Sequence, residues 1–476
     1  MAYTTIDNPG ASAFATTLYT GNSTARTITT GMQPDLIWIK QRSTVRPHCW
    51  FDTVNSSSFA GGNSKYLVAN TSAALTSNNS TQVTGVTSTG FTLGADNSDQ
   101  INGNGDTAAA WTWSAAGSAP SNTYVVKVVS DSGNKYRFDD FGTSAVTLEI
   151  SEGGTFTFDQ ADSSNSGHPL RFSTTANGSH GGGSEYTTGV TTNGTPGSSG
   201  AYTRITVAAS APTLYYYCTQ HSGMGGQANT PTTNSFSNFS GSIQSNISPS
   251  TLSGFSIINY VGNGSAGATV GHGLGKTPTC FITKRTSGTS SWGMYHQSTG
   301  AGGFMEMNST NALQSNSAYF NNTAPTSSVF SIGTDSINNT SGSSYTCYCF
   351  TDIQGFSQHS GYTGNGNTDG PFIYLGYRPA FLILKRTDNT GHFIIKDNKT
   401  TYGTSTGGYN QNDTYLWVDA GDAETSGSSV GVDILSNGFK LRGTAGNTNA
   451  NGGSFIYTSW AANPFTTSTG IPGLAK

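Results

Sequence analysis

The sequence predicts an all-β protein, and three observations point there. Charged residues make up only 10% of the 476 residues, whereas exposed helix faces draw heavily on Lys, Glu and Arg. Glycine is abundant, with 62 residues, and with Ser, Thr and Asn it supplies turn chemistry throughout the chain. The 24 Phe, 22 Tyr and 7 Trp provide far more buriable surface than disordered chains carry. Together these features describe short β-branched and aromatic strands separated by polar turns.

Three copies of one pattern organise most of the chain. Each opens with Tyr-x-Gly-Asn, at residues 19–22, 260–263 and 362–365. A proline follows, then a mostly apolar run ending in lysine: Pro34-Asp-Leu-Ile-Trp-Ile-Lys40, Pro278-Thr-Cys-Phe-Ile-Thr-Lys284 and Pro379-Ala-Phe-Leu-Ile-Leu-Lys385. An apolar run of this length, bounded by proline and charge, reads as a buried central strand. A Gly-Phe strand comes later at Gly90-Phe91 and Gly438-Phe439, reduced to Val329-Phe330 in the second copy. Each copy closes on an aromatic strand: Trp111-Thr-Trp113, Tyr345-Thr-Cys-Tyr-Cys-Phe350 and Phe455-Ile-Tyr-Thr-Ser-Trp460.

So many short strands in a unit of about 100 residues imply a two-sheet sandwich of jelly-roll or lectin-like type. The expected division is a first sandwich at 1–117, an insertion at 121–226 and a linker at 227–253. A degenerate second sandwich at 254–354, a third at 355–466 and a tail at 467–476 follow. Three autonomous sandwiches in tandem predict an elongated chain. Ile37, Ile39, Ile282, Leu382 and Leu384 should be buried, with Trp111 and Trp113 near the first core.

The insertion has a different texture. The strand Tyr124-Val-Val-Lys-Val-Val129 opens it, and Gly-His168-Pro-Leu-Arg-Phe lies in its middle. Near its end stands Thr213-Leu-Tyr-Tyr-Tyr-Cys218-Thr-Gln-His221-Ser-Gly-Met224. Cys-x-x-His-x-x-Met on a tight loop after a strand supplies a thiolate, an imidazole and a thioether. A second imidazole from a distant strand, such as His168, would complete the His₂Cys set with a weak axial Met of mononuclear copper sites. His180 reads as a loop residue.

These residues resemble the cupredoxin family, a single Greek-key β-sandwich of this size. The resemblance implies copper ligation by His168, Cys218, His221 and Met224. Pro169 stands where related electron carriers often have asparagine, a departure that bears on redox tuning more than on ligation. A cupredoxin-shaped spacer in which the four side chains only pack is the alternative.

The repeats resemble a module of tailed-phage virion structural proteins, particularly from phages of marine bacteria. The resemblance rests on the opening Met1-Ala-Tyr-Thr-Thr-Ile-Asp-Asn-Pro9, the Pro34-to-Lys40 strand and Trp111-Thr-Trp113. It implies a virion surface protein, a tail fibre or related appendage assembled in the host cytoplasm, able to contact host-surface glycans. It further implies a homo-oligomer, with trimers common among fibres, packed with other virion proteins. A head decoration or fibre protein, or a copper electron-transfer protein fused to binding modules, are the alternatives.

Other classes find less in the sequence. A net charge of −4 offers no electrostatic footprint for nucleic acid or an anionic membrane, and no apolar stretch reaches the ~20 residues of a membrane span. The N-terminus lacks the basic and apolar regions of a secretory signal, which fits a cytosolic chain or release inside a particle. No Gly-x-Ser-x-Gly, P-loop or His-Glu-x-x-His occurs, so no enzyme is expected. Asp96, Asp99 and Asp106, and likewise Asp413, Asp419 and Asp422, read as solvated loop residues rather than calcium ligands. His296 and His392 lie on similar repeat strands, which suggests a shared packing role. Five scattered cysteines (Cys49, Cys218, Cys280, Cys347, Cys349) do not make a disulfide framework, and Cys347 and Cys349 read as buried thiols.

Overall fold

The computed structural model describes residues 6–7, 13–56, 64–77, 81–96, 98–117, 119–400, 411–462 and 466–467. Most of the opening Met1-to-Pro9 motif and of the expected tail lies outside them. Strands carry the fold, and the two α-helices among the described residues, Ser317–Phe320 and Gly446–Asn449, are four residues each. No helix among the described residues is long and apolar enough to cross a membrane.

The three repeats share one topology. In the first, a six-stranded sheet runs in the order Phe14–Thr20, Thr107–Trp113, Leu36–Gln41, Cys49–Asp52, Lys65–Val68, Thr76–Ser77. In the third, Ser357–Thr363, Ser454–Ala461, Pro379–Arg386, Ile394–Asp397, Thr414–Trp417 and Thr425–Ser426 repeat that order. The second matches it from Phe255–Val261 to Gln314–Ser315 but gains two strands at its front, Ser245–Ser250 and Phe236–Asn238. A smaller sheet covers each large one, with three, two and four strands respectively. In each repeat the closing aromatic strand lies between the opening strand and the Pro-to-Lys strand.

The expected linker at 227–253 is therefore built into sheets through three strands. Gly226–Asn229 is the last strand of the inserted domain, and the other two strands extend the second repeat. Proline punctuation suggested a linker, but Pro249 is accommodated opposite Ser256, and Phe236, Ile243 and Ile247 are buried.

The inserted domain is a separate two-sheet sandwich. Its five-stranded sheet runs Asn134–Phe138, Ser121–Ser130, Thr155–Asp159, Tyr202–Thr206, Val190–Asn193; its four-stranded sheet runs Leu148–Glu149, Gly226–Asn229, Leu214–Cys218, Leu170–Ser173. Each sheet contains one parallel pair, as chain crossings between sheets require. The domain leans on the added strands of the second repeat, where the Tyr124 hydroxyl donates to the Ser237 carbonyl at 2.9 Å.

The three sandwiches do not form an elongated tandem. The Leu36–Gln41 strand is buried on both faces, and its two faces belong to different cores. Ile37 and Ile39 pack with Phe51, Phe91 and Leu93 inside the first sandwich. Leu36 and Trp38 face the other way, into a core shared by all three repeats. There Phe381 of the third repeat meets Trp38, Trp111 and Trp113 at ring-centroid distances of 5.9, 5.1 and 5.8 Å. Trp50 meets Trp292 at 5.1 Å and Tyr348 at 4.9 Å, and Phe350 meets Trp460 at 5.3 Å. The expected core residues are all buried, but only Ile37 and Ile39 belong to the first sandwich's separate core, while Ile282, Leu382, Leu384, Trp111 and Trp113 belong to the cluster that holds the shared core. Packing is close to complete, with one cavity of about 20 Å³ among these rings.

Equivalent bonds lock all three interfaces, so the large sheets close a triangle. The backbone N–H groups of Leu75, Leu313 and Glu424 donate to the carbonyls of Thr286, Thr387 and Arg42, at 3.1, 2.9 and 2.7 Å. Those of Ser290, Gly391 and Arg46 donate to Ser72, Thr310 and Gly421, at 2.9, 2.8 and 2.9 Å. The motif lysines sit at the same joints. Lys284 donates to Ser72 O at 3.0 Å and Lys385 to Thr310 O at 3.1 Å, in each case crossing to the neighbouring repeat. Lys40 donates to Gln41 O at 2.6 Å, in the field of Asp422 and Glu424 from the third repeat. Arg42 adds a bidentate pair with Glu424, both contacts at 2.7 Å. Buried Asp52 accepts from the Tyr348 hydroxyl at 2.8 Å, and the equivalent Asp397 accepts from Trp111 Nε1 at 3.1 Å.

Because the repeats share one core, truncating Trp113 should weaken all of them together. Trp113→Ala is expected to cost about 3–5 kcal/mol and to shift a single unfolding transition common to the three sandwiches. Separate transitions in denaturant, followed by tryptophan fluorescence and circular dichroism, would show that they are autonomous after all.

Burial holds Lys40, Lys284 and Lys385 down to about 8, from the usual 10.5. Their folded-state values lie below the unfolded ones, so between about pH 8 and 10 the unfolded chain binds more protons. Stability from these groups then rises with pH in that window. Burial raises the thiols of Cys49, Cys280 and Cys347, which works in the opposite direction over the same window, so the test is a difference: between pH 7.5 and 9.5 the melting temperature of the parent should rise relative to that of a variant with the three lysines replaced by methionine.

Candidate metal centre

The site grows from two paired strands. Leu170–Ser173 runs antiparallel to Leu214–Cys218, with Leu170 opposite Cys218. His168, two residues before Leu170, therefore arrives at the end of the domain where Cys218 leaves its strand. His221 follows three residues later on the loop that leads to Gly226–Asn229.

The three side chains converge. Cys218 Sγ lies 3.8 Å from His168 Nδ1 and 3.8 Å from His221 Nδ1. All three ligand atoms fall within 4.8 Å of one another, and the imidazole rings are 4.6 Å apart. Cys218 is fully buried, His168 half-buried and His221 exposed. Met224, the fourth expected ligand, is on the same loop and buried in the apolar cluster that also contains Cys218 and Tyr136.

Supporting contacts hold the backbone around the ligands. The His168 carbonyl accepts from the Tyr136 hydroxyl at 2.8 Å and from Gln160 Nε2 at 2.9 Å. Gln160 Oε1 in turn accepts from the Leu170 N–H at 3.1 Å. Asn177, left-handed at φ 64°, braces the ligand loop twice: its Oδ1 accepts from the Gly223 N–H at 2.7 Å, and its Nδ2 donates to Ser222 Oγ at 2.8 Å. Lys135 Nζ donates to the Gly223 carbonyl. His180 stands outside the cluster, its Nε2 3.1 Å from the Cys218 carbonyl. None of these braces announces itself in the sequence, because nearly all act through the backbone and their pairing depends on the fold.

The spacing of the three ligand atoms fits a single metal ion. Ligand atoms bonded at about 2.0–2.3 Å and 110–120° stand about 3.4–3.8 Å apart, the separation seen from Cys218 to both imidazoles. Burial, and then the charge of His221, lower the pKa of His168 below the usual histidine value, which favours the neutral, ligating imidazole.

The other candidate groups are structural. Asp96 is not solvated: it is fully buried, and its carboxylate accepts from the N–H groups of Ile101 and Asn102 at 2.6 and 2.8 Å and from Ser98 Oγ at 2.8 Å. Asp413 is buried. Asp419 is nearly buried as well, and accepts from the Phe393 N–H at 2.9 Å beside His392 Nδ1 at 2.7 Å. His296 and His392 do not share a role. His296 is buried 3.2 Å from the Tyr457 carbonyl, and its pKa is pushed to about 3 by burial and His359. His392 is partly exposed against Trp417. All five cysteines are buried and free.

The geometry of the loop makes Gly225 indispensable, since a Cβ there would lie 1.7 Å from the Tyr216 carbonyl oxygen. Gly225→Ala should displace the His221–Met224 loop and lower the melting temperature of the domain by several degrees. A variant with unchanged melting and unchanged metal uptake would show that the loop can shift freely.

Comparison with known proteins returns one family. The description Domain of unknown function (DUF7483) matches residues 9–137 and 174–464, stretches that take in all three sandwiches and leave out the segment carrying His168. No curated protein and no solved structure matches.

Proposed function

We propose that this chain, which belongs to the family described as Domain of unknown function (DUF7483), is a non-enzymatic component of a phage virion surface. In this reading it belongs to a tail fibre or related appendage, contacts host glycans, and carries a copper-binding insertion. The observation that carries the structural part is the closed triangle of sandwiches. Three large sheets locked by equivalent bonds around one aromatic core make a rigid platform. Four of the residues behind the phage resemblance, Leu36, Trp38, Trp111 and Trp113, lie in that core. Low charge and Ser/Thr/Asn-rich loops suit a long-lived exposed surface.

The triangle also changes how oligomers would form. Three-way packing that a homotrimeric fibre draws from three chains is supplied here within one, so further copies and other virion proteins would join through other surfaces. Mass spectrometry of purified particles should find the chain in multiple copies. Its absence from particles, with the chain abundant in the infected lysate, would overturn this reading.

Convergence of His168, Cys218 and His221 supports copper in the inserted domain. Copper would supply a covalent tie between two strands and a loop, and binding only the folded state adds stability by mass action. Titrating the full chain with Cu(II) should produce an intense visible thiolate-to-copper band and a higher melting temperature, both lost in Cys218→Ser. No band and an unchanged melting temperature in the parent would leave the insertion a spacer.

A further inference from the structure

The shared register of the repeats allows their outward-facing positions to be compared site by site. On the small sheet of the first repeat, Thr27 lies opposite Thr92 and Thr29 opposite Gly90. In the second, the same places hold Thr269 opposite Ser331 and Gly271 opposite Val329. In the third, they hold Phe372 opposite Lys440 and Tyr374 opposite Gly438. Small polar residues have thus given way to two large rings, 46% and 64% exposed. They sit on Phe372–Tyr374, an edge strand of its sheet. The corresponding edge of the second repeat is covered, because the Ile243 N–H donates to the Thr269 carbonyl at 3.0 Å.

Charged side chains flank the rings, and they neutralise one another. Asp433 lies across from Lys440 on the far strand. Lys440 pairs with Asp369 at 2.6 Å, and Arg442 pairs with Asp433 at 2.6 Å and with Asp369 at 3.8 Å. Beside them opens a polar cavity of about 650 Å³, lined by Asp369, Asp433, Arg442, Ser428, Ser429 and Thr444. The ring of Phe372 leans toward Gly438, where an added Cβ would meet it at 3.2 Å, and Gly438 is also the residue opposite Tyr374.

Exposed rings beside fixed donors and acceptors suit one ligand chemistry above others. A pyranose offers an apolar C–H face to a flat ring and a rim of hydroxyls to polar groups. Carboxylates only accept and a guanidinium only donates, so together they read hydroxyl direction. Two cations matched by two anions give no net attraction for a charged ligand. We propose that the outer face of the third sandwich's small sheet binds a neutral oligosaccharide, with Phe372 and Tyr374 stacking on sugar rings and Asp369, Asp433 and Arg442 binding hydroxyls. The proposal gives a ligand class to the glycan contact in the reading above, and it rests on that reading.

The test is to probe the full chain against a panel of neutral and sialylated oligosaccharides and to measure the strongest binder by calorimetry. A neutral glycan should bind. Phe372→Ala with Tyr374→Ala should weaken it by about tenfold or more without moving the melting temperature, since both rings are exposed. The equivalent pair in the first repeat, Thr27→Ala with Thr29→Ala, should leave binding unchanged. No glycan bound, a preference for sialylated glycans, or binding indifferent to the loss of both rings overturns the proposal. Its failure is separable from failure of the virion reading: a chain present in particles that binds no glycan sinks only this site, and a glycan-binding chain absent from particles sinks only the location.

Discussion

A strand that is apolar on both faces can be stable only in the middle of something, and that constraint shapes the whole chain. Each large sheet has one face that its own small sheet covers and a second face too apolar to meet water. Three such faces cover one another. Burial of this aromatic surface is the dominant favourable term, and the rest of the architecture arranges itself around it. The small sheets stay outside, the loops point away, and the inserted domain is held at the periphery.

The joints of the triangle show how polar groups survive in such a core. Each motif lysine is buried, yet its ammonium has carbonyl oxygens at the seam, and for Lys284 and Lys385 an aromatic ring lies within 5.9 and 4.8 Å. An unpaired buried charge would be prohibitive. For Lys284 and Lys385 one partner is a backbone carbonyl of the adjoining repeat, so a correctly closed seam is the condition under which these two lysines are tolerated. Such groups favour the native closure over other ways of stacking the same apolar faces.

Much of the repeat unit was legible, because Pro-to-Lys spacing and closing aromatic strands are local signals. What the sequence reading lacked was the meaning of the second face. Alternation within Leu36-Ile-Trp-Ile places Trp38 opposite the isoleucines, and Trp50, Trp111 and Trp113 continue that side. A single buried strand satisfies the same pattern, so only the three-dimensional closure distinguishes the two. The lysines were read as strand-ending charges, since nothing local marks a buried one. In the insertion, Cys-x-x-His-x-x-Met pointed to the loop, and His168, 50 residues upstream at a strand edge, was suitably placed to join it. Gln160, Tyr136 and Asn177 were not legible, because they act mainly on backbone atoms whose positions depend on the fold. Phe236, Phe239, Ile243 and Ile247 did signal strand in the expected linker, outweighed there by proline and polar neighbours.

Fusing three sandwiches into one polypeptide has a consequence for valency. Three identical subunits around an axis would present every surface feature in triplicate, and weak contacts would multiply through avidity. A triangle of unlike repeats presents each feature once: one inserted domain, one pair of exposed rings. Each repeat is then free to diverge on its outer face while the axial face stays constrained. Any multivalency must come from how many whole chains an assembly displays, and not from the internal threefold arrangement.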